Sequence, residues 1–187
     1  MNQKNTIIYF GMGCFTDTDV TVVKQLQKEY SVHWYVLHQP HDPYPVSFYV
    51  DFVKNSGVKL HMLHITNRRR SFKVLKLMFK TFTEIVELSP SLIYSCCFDF
   101  YFSLAYLIKA KSIPLVFGVH DVIQHSDNRN SIFYHLSYRF SLFVGDVFLQ
   151  FSSNQNRVFK QLYPKLKSSM VGMSIKDFGE AKGEKHI

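Results

Sequence analysis

The sequence predicts an α/β fold: a Rossmann-like parallel sheet with helices on both faces, arranged as a single domain. Short apolar runs alternate with segments of helical period almost from end to end. Those runs are rich in β-branched and aromatic residues and nearly continuous in hydrophobicity, as strands covered on both faces must be. At 187 residues the chain can build one ordinary core and is too short to expect two.

The first strand is expected at residues 6–10, followed by a loop at 11–19 and an amphipathic helix at 20–30. A second strand at 32–37 leads through a proline-bearing loop, 39–45, into a short helix ending at Lys54, with Gly57 as its C-cap. Residues 58–65 alternate apolar and polar as a third strand, which sends His61 and His64 to opposite faces. A helix over about 71–88 is stopped by Pro90, and a fourth strand follows at 92–98. Next come a helix at 100–111, a fifth strand at 115–119, and an apolar, aromatic helix at 131–144. A sixth strand at 147–151, a helix at 154–163 and a short last strand at 169–171 complete the pattern. The domain is expected to occupy residues 1–180, with a polar tail at 181–187.

Composition narrows the class. With 47% hydrophobic and 19% charged residues the chain has the material for a packed core. The 18 Phe and 11 Tyr fill much of it, and some remain for a surface that meets something apolar. A net charge of +8 favours partners that carry phosphate, such as nucleotides or anionic head groups. The apolar run before Gly11 is too short for a signal-peptide core, and no stretch is long enough to span a bilayer. Cys14, Cys96 and Cys97 are odd in number and read as reduced cytosolic thiols.

The strongest functional signal is Pro114-Leu115-Val116-Phe117-Gly118-Val119-His120-Asp121, an apolar strand that stops abruptly at a His-Asp pair. In open α/β sheets ligands bind beyond the carboxyl ends of strands. His120 there can hydrogen-bond a substrate hydroxyl or polarise a developing charge, with Asp121 orienting the polar loop that follows. His125, Asn128 and Arg129 on that loop are candidate substrate contacts. The plainer alternative is that His120 and Asp121 only cap the strand and the next turn.

Gly11-Met12-Gly13 follows the first strand, where a turn can bring backbone close to a phosphate or simply be tight. The dinucleotide fingerprint wants a third glycine where Thr16 stands, and an acid where His38 and Gln39 end the second strand. A nicotinamide cofactor is therefore not expected, and no other cofactor is implied. The nine histidines include His38, His41, His61 and His64, yet no Cys or carboxylate completes a metal-ligand spacing around them. No helix-turn-helix or zinc-finger pattern supports nucleic-acid binding. Arg68, Arg69 and Arg70 open the long helix, and Lys73, Lys76 and Lys80 continue the charge beside an apolar stripe of Phe72, Leu75, Phe79, Phe82 and Val86. Such a helix suits an anionic membrane surface, or else is an ordinary solvated face above a core stripe.

In these features the chain resembles the N-terminal half of a GT-B glycosyltransferase, most similar to glycosyltransferase family 4. The glycine turn at Gly11 and Gly13 and the strand ending Val119-His120-Asp121 carry the likeness. So do the strand Gly145-Asp146-Val147-Phe148-Leu149-Gln150-Phe151-Ser152 and the segment Val171-Gly172-Met173-Ser174-Ile175-Lys176-Asp177-Phe178-Gly179. The resemblance implies transfer of a hexosyl group from a nucleotide-sugar to a glycan or lipid-linked acceptor in polysaccharide biosynthesis. It places His120 beside the transferred sugar and the glycine turn near the donor phosphates. The donor-side half, with its diphosphate clamp, is expected outside this sequence, so the chain alone is expected to be weak or inactive. The implied location is cytoplasmic, peripheral on the inner face of the membrane. Two other classes stay open: a non-catalytic subunit that recruits a donor-binding partner, and an unrelated nucleotide-binding Rossmann module.

Overall fold

A computed structural model describes residues 4–66, 71–120, 122 and 132–172. Among the described residues seven strands alternate with six helices. They run β1 (Thr6–Met12), α1 (Thr16–Leu26), β2 (Ser31–His38), α2 (Val46–Val53), β3 (Lys59–His64) and α3 (Phe72–Glu87). The second half comprises β4 (Leu92–Ser95), α4 (Phe100–Lys109), β5 (Leu115–Val119), α5 (Ile132–Val144), β6 (Val147–Gln150), α6 (Ser153–Leu162) and β7 (Ser168–Met170). All strands are parallel in the order β3-β2-β1-β4-β5-β6-β7. The direction of winding reverses between β1 and β4, which makes the carboxyl end of that pair the natural crevice of the sheet.

Period-2 alternation sorts side chains into two cores. On one face Phe10, Tyr35, Phe117 and Phe148 pack beneath α3, α4, α5 and α6. Phe10 stacks on Tyr35 at 6.2 Å between ring centroids and meets Phe102 edge-on at 4.7 Å. On the other face Tyr9, Trp34 and Val36 pack beneath α1 and α2 through Val23 and Tyr49. Each such ring, fully buried, contributes about 1.5–3 kcal/mol of transfer free energy. The two faces are covered unequally. Val116, Val147 and Leu149 on β5 and β6 point to the α1–α2 side, are only half-buried and belong to neither core cluster.

Several boundaries differ from the sequence expectation. β1 continues through Gly11 to Met12, and Gly13–Phe15 forms a 3-10 turn, so α1 begins at Thr16 and ends at Leu26 instead of spanning 20–30. Thr16 makes this early start possible: its hydroxyl donates to the Gly13 carbonyl at 2.7 Å and pairs with the Tyr49 hydroxyl. β4 stops at Ser95, where the hydroxyl accepts from the Cys97 N–H at 2.9 Å and turns the chain out of the ladder. Gly57 is not a helix cap. α2 ends at Val53 with Lys54 at the C-cap, and the turn is closed by Ser56, whose N–H and hydroxyl both donate to the Val53 carbonyl.

The core stripe of α3 is also rotated from the expected one. Val74, Met78, Thr81, Phe82 and Ile85 face the sheet, whereas Phe72 is 87% exposed and Val86 39% exposed. The helix carries two adjacent apolar stripes that share Phe82, and periodicity alone does not say which one the sheet takes. Its N-terminus is capped by Ser71, which accepts from the Val74 N–H. It ends before Pro90, with Ser89 in the left-handed region at φ 47°.

Candidate functional site

The carboxyl ends of β1, β4 and β5 converge on a cleft of about 260 Å³. Met12, Cys14 and Phe15 line it from the first strand and its turn, Cys96 to Asp99 from the chain leaving β4, and Gly118, Val119 and His120 from β5. Tyr134, Ser137 and Tyr138 on α5 close the outer side. A cleft at this place is what the reversal of winding provides.

His120 stands at its lip in a fixed orientation. The imidazole stacks on Phe15 at 4.6 Å with an interplanar angle of 5°, and packs against Phe151 at 4.8 Å on another side. Its carbonyl accepts from the side-chain amide of Gln155 in the first turn of α6. Gly118 precedes it because the strand has no room for a side chain there: a Cβ would lie 2.2 Å from the Tyr94 hydroxyl.

Asp99 also lines the cleft. Its carboxylate caps α4, accepting from the Tyr101 and Phe102 N–H groups at 2.9 and 3.1 Å. Beneath the cleft sits a layer of buried groups held neutral. Burial pushes the Asp19 carboxyl up to about 8, against a smaller downward pull from the Tyr9 hydrogen bond of 2.7 Å. The Cys96 thiol is raised by burial and by Asp19, and the Tyr9 and Tyr94 phenols are raised by burial first. Asp19 Oδ2 and the Trp34 indole N–H have no hydrogen-bond partner among the described residues.

The glycines of the first turn make room for carboxylates of the chain itself. A Cβ on Gly11 would meet Asp19 Oδ2 at 2.2 Å, and one on Gly13 would meet Asp42 Oδ2 at 2.0 Å. Asp42 also accepts from the Gln39 N–H at 2.7 Å, so the close approach at Gly13 fastens the β2–α2 loop to the end of β1.

Of the residues singled out from the sequence, His120 lines the cleft, while Gly11 and Gly13 belong to the strand and turn that form its wall. Asp121, His125, Asn128, Arg129 and Arg68 to Arg70 lie outside the described residues. Lys73, Lys76 and Lys80 are exposed on the outer side of α3. Asp99 and the three cysteines, which all line the cleft, were not anticipated as site residues. Asp99 directly before an apolar helical run is a legible N-cap signal. The gathering of Cys14 with Cys96 and Cys97 depends on the strand order and leaves no local trace. Among the described residues no group of three or more His, Cys, Asp or Glu is arranged to hold a metal ion, and no helix is long and apolar enough to cross a membrane.

No family model and no curated protein matches the sequence. Solved structures do match the fold. MurG of Acinetobacter baumannii superposes with a TM-score of 0.58 at 16% identity, over 92% of this chain and 47% of its own. The UDP-GlcNAc 2-epimerase of Neisseria meningitidis, bound to UDP-GlcNAc, matches with 0.60 at 12%, over 90% and 47%. The lipopolysaccharide outer core galactosyltransferase WaaB in its apo form matches with 0.59 at 14%, over 89% and 45%. The fold is that of a GT-B N-terminal domain. The chain spans less than half the length of each of these structures.

Proposed function

We propose that this chain is the acceptor-side half of a glycosyltransferase that moves a sugar from a nucleotide-sugar to a glycan or lipid-linked acceptor. The observation that carries this reading is the cleft at the β1–β4 switch point with the His120 imidazole clamped between Phe15 and Phe151 at its lip. A ring whose plane is fixed by two aromatic neighbours loses little further entropy when a ligand binds beside it, which is how positioning lowers a barrier. The acceptor oxygen forms the new bond to the anomeric carbon as the bond to the diphosphate breaks. The acceptor proton leaves with the departing oxygen or to a base. The chain spans less than half of its structural neighbours, one of which is bound to UDP-GlcNAc, and the nucleotide-sugar is assigned to a second half, continuous or separate. Asp121, His125, Asn128 and Arg129 are assigned as substrate contacts in this reading, with no cofactor required, whereas Gly11 and Gly13, packed against Asp19 and Asp42, shape the wall without touching the ligand.

The outer side of α3 supports a peripheral position on an anionic bilayer, on the cytoplasmic side, in a pathway of polysaccharide assembly. Lys73, Lys76 and Lys80 are exposed there beside Phe72, which is 87% exposed. Lysines flanking an exposed aromatic ring match an interface where head groups are charged and the boundary apolar. Arg68, Arg69 and Arg70 extend the same charge in sequence. Flotation with anionic and with neutral liposomes tests it; equal binding to both removes the electrostatic argument.

For the reaction, label is followed from a panel of nucleotide-sugars into acceptor, with the chain alone and with a donor-side half supplied. Transfer is expected only with both, and His120→Ala is expected to lower it by about 10²-fold or more. Robust turnover by the chain alone would overturn the half-site assignment, and unchanged transfer in the variant would make His120 structural. Because 2-epimerases share the fold, the free sugar product is analysed too, and epimerisation without transfer would replace this reading.

A further inference from the structure

The cleft does not end at Asp99. A second cavity of about 500 Å³ adjoins it, lined by Asp99, Phe100, Tyr101, Phe133, Leu136 and Ser137. Asp99 and Ser137 line both spaces, so the two adjoin at these residues, near the starts of α4 and α5. The cleft alone lies just below the usual volume of a small-molecule site, about 300–1,000 Å³, and the adjoining groove brings it within that range.

The chemistry changes along this path. The cleft presents the His120 imidazole, the Asp99 carboxylate and the Ser137 hydroxyl. At the outer end Phe100, Tyr101, Phe133 and Leu136 present apolar surface, with Phe133 59% and Leu136 51% exposed. The groove floor is a built one. Ser103 and Ser141 hydrogen-bond across the α4–α5 contact at 2.8 Å, and Phe100 packs on Phe140 at 5.0 Å. Two helices pinned together at their buried sides hold this apolar lining in place at their starts.

We infer that the groove between the starts of α4 and α5 binds the hydrocarbon chain of an amphiphilic ligand whose hydroxylated head occupies the His120 cleft. This rests on the acceptor-side reading and deepens it: of glycan and lipid-linked acceptors, the polarity gradient selects an acceptor with an alkyl or prenyl-like tail. Asp99 marks the junction between head and tail.

The test uses monomeric alkyl β-glucosides below their critical micelle concentrations, titrated calorimetrically into the full chain with no donor present. Methyl, hexyl, octyl and decyl glucosides are compared. Dissociation constants are expected to fall by about two- to fourfold per added methylene, the upper figure being full burial. The Phe133→Ser/Leu136→Ser double variant is expected to lose that chain-length dependence. Both residues are more than half exposed, so the fold should survive the change. Phe143→Ser, a 73% exposed position on the same helix outside the groove, is expected to keep the dependence. Affinity independent of chain length, an unchanged dependence in the double variant, or association with vesicles but not with monomeric glucoside would each overturn the inference. Failure of sugar transfer would not, since no step of this measurement uses a nucleotide-sugar.

Discussion

A Cβ atom placed on Gly11 would stand 2.2 Å from Oδ2 of Asp19 and 3.3 Å from the indole nitrogen of Trp34. Asp19 is fully buried and fastened to Tyr9 at 2.7 Å, so neither it nor the sheet can move aside cheaply. The glycine is therefore required by the contact between β1 and α1. Gly11→Ala is expected to destabilise the domain by about 1–3 kcal/mol, the usual cost of overpacking. Urea unfolding of the two proteins checks it; equal midpoints would show that α1 shifts freely.

The same carboxyl gives stability a pH dependence with a definite sign. In the native state it titrates at about 8 because of burial, far above its ordinary value of 3.8. Between those two values the folded protein holds a proton that the unfolded chain releases. Stability from this group is thus complete below about pH 4 and lost as pH rises through 8. Asp19→Asn removes the titration. The difference in urea midpoint between parent and variant is expected to drift in favour of the variant from pH 5 to 8.5. A constant difference would mean that Asp19 is ionised in the folded protein.

Most of the fold was legible because parallel strands and their crossovers leave a periodic trace. Residues 115–119 and 147–151 read as strands from apolar runs alone, and the structure places β5 (Leu115–Val119) and β6 (Val147–Gln150) there. What failed was local. The Thr16 hydroxyl extends α1 backward by bonding Gly13, and Ser95 ends β4 early, and neither event has a hydrophobic signature. In the site, His120 was legible because a titratable residue ended a buried strand. The cysteines and the α4–α5 groove come from segments far apart in sequence that meet only once the strand order is known. Phe72 reads as core in the sequence because both stripes of α3 fit a helical period equally well.

Ser89 closes α3 with φ 47°, a left-handed conformation in which its Cβ crowds the backbone. Its N–H donates to the Val86 carbonyl at 3.0 Å, so the conformation belongs to the helix stop. Glycine is the residue that adopts this geometry without strain. Ser89→Gly is expected to raise stability by about 0.5–1 kcal/mol, the relief of strain exceeding the added entropy of the unfolded chain. Thermal melting resolves a change of that size. A lower melting temperature would show that the Ser89 side chain contributes more than its backbone costs.

Asp99 has two separable jobs, and two substitutions divide them. As the cap of α4 it satisfies the Tyr101 and Phe102 N–H groups, which begin the helix forming one wall of the groove. Asp99→Ala leaves both donors without this partner and is expected to cost about 1 kcal/mol. Asp99→Asn keeps an accepting oxygen at the cap and is expected to stay within about 0.5 kcal/mol of the parent. The charge, however, is gone. If the carboxylate hydrogen-bonds a hydroxylated head at the junction of cleft and groove, the Asn variant should bind octyl glucoside several-fold more weakly while its dependence on alkyl length is retained, because the tail contacts are untouched. Paired urea melts and titrations separate the outcomes. Unchanged affinity in the stable Asn variant would confine Asp99 to capping and leave head recognition to His120 and Ser137.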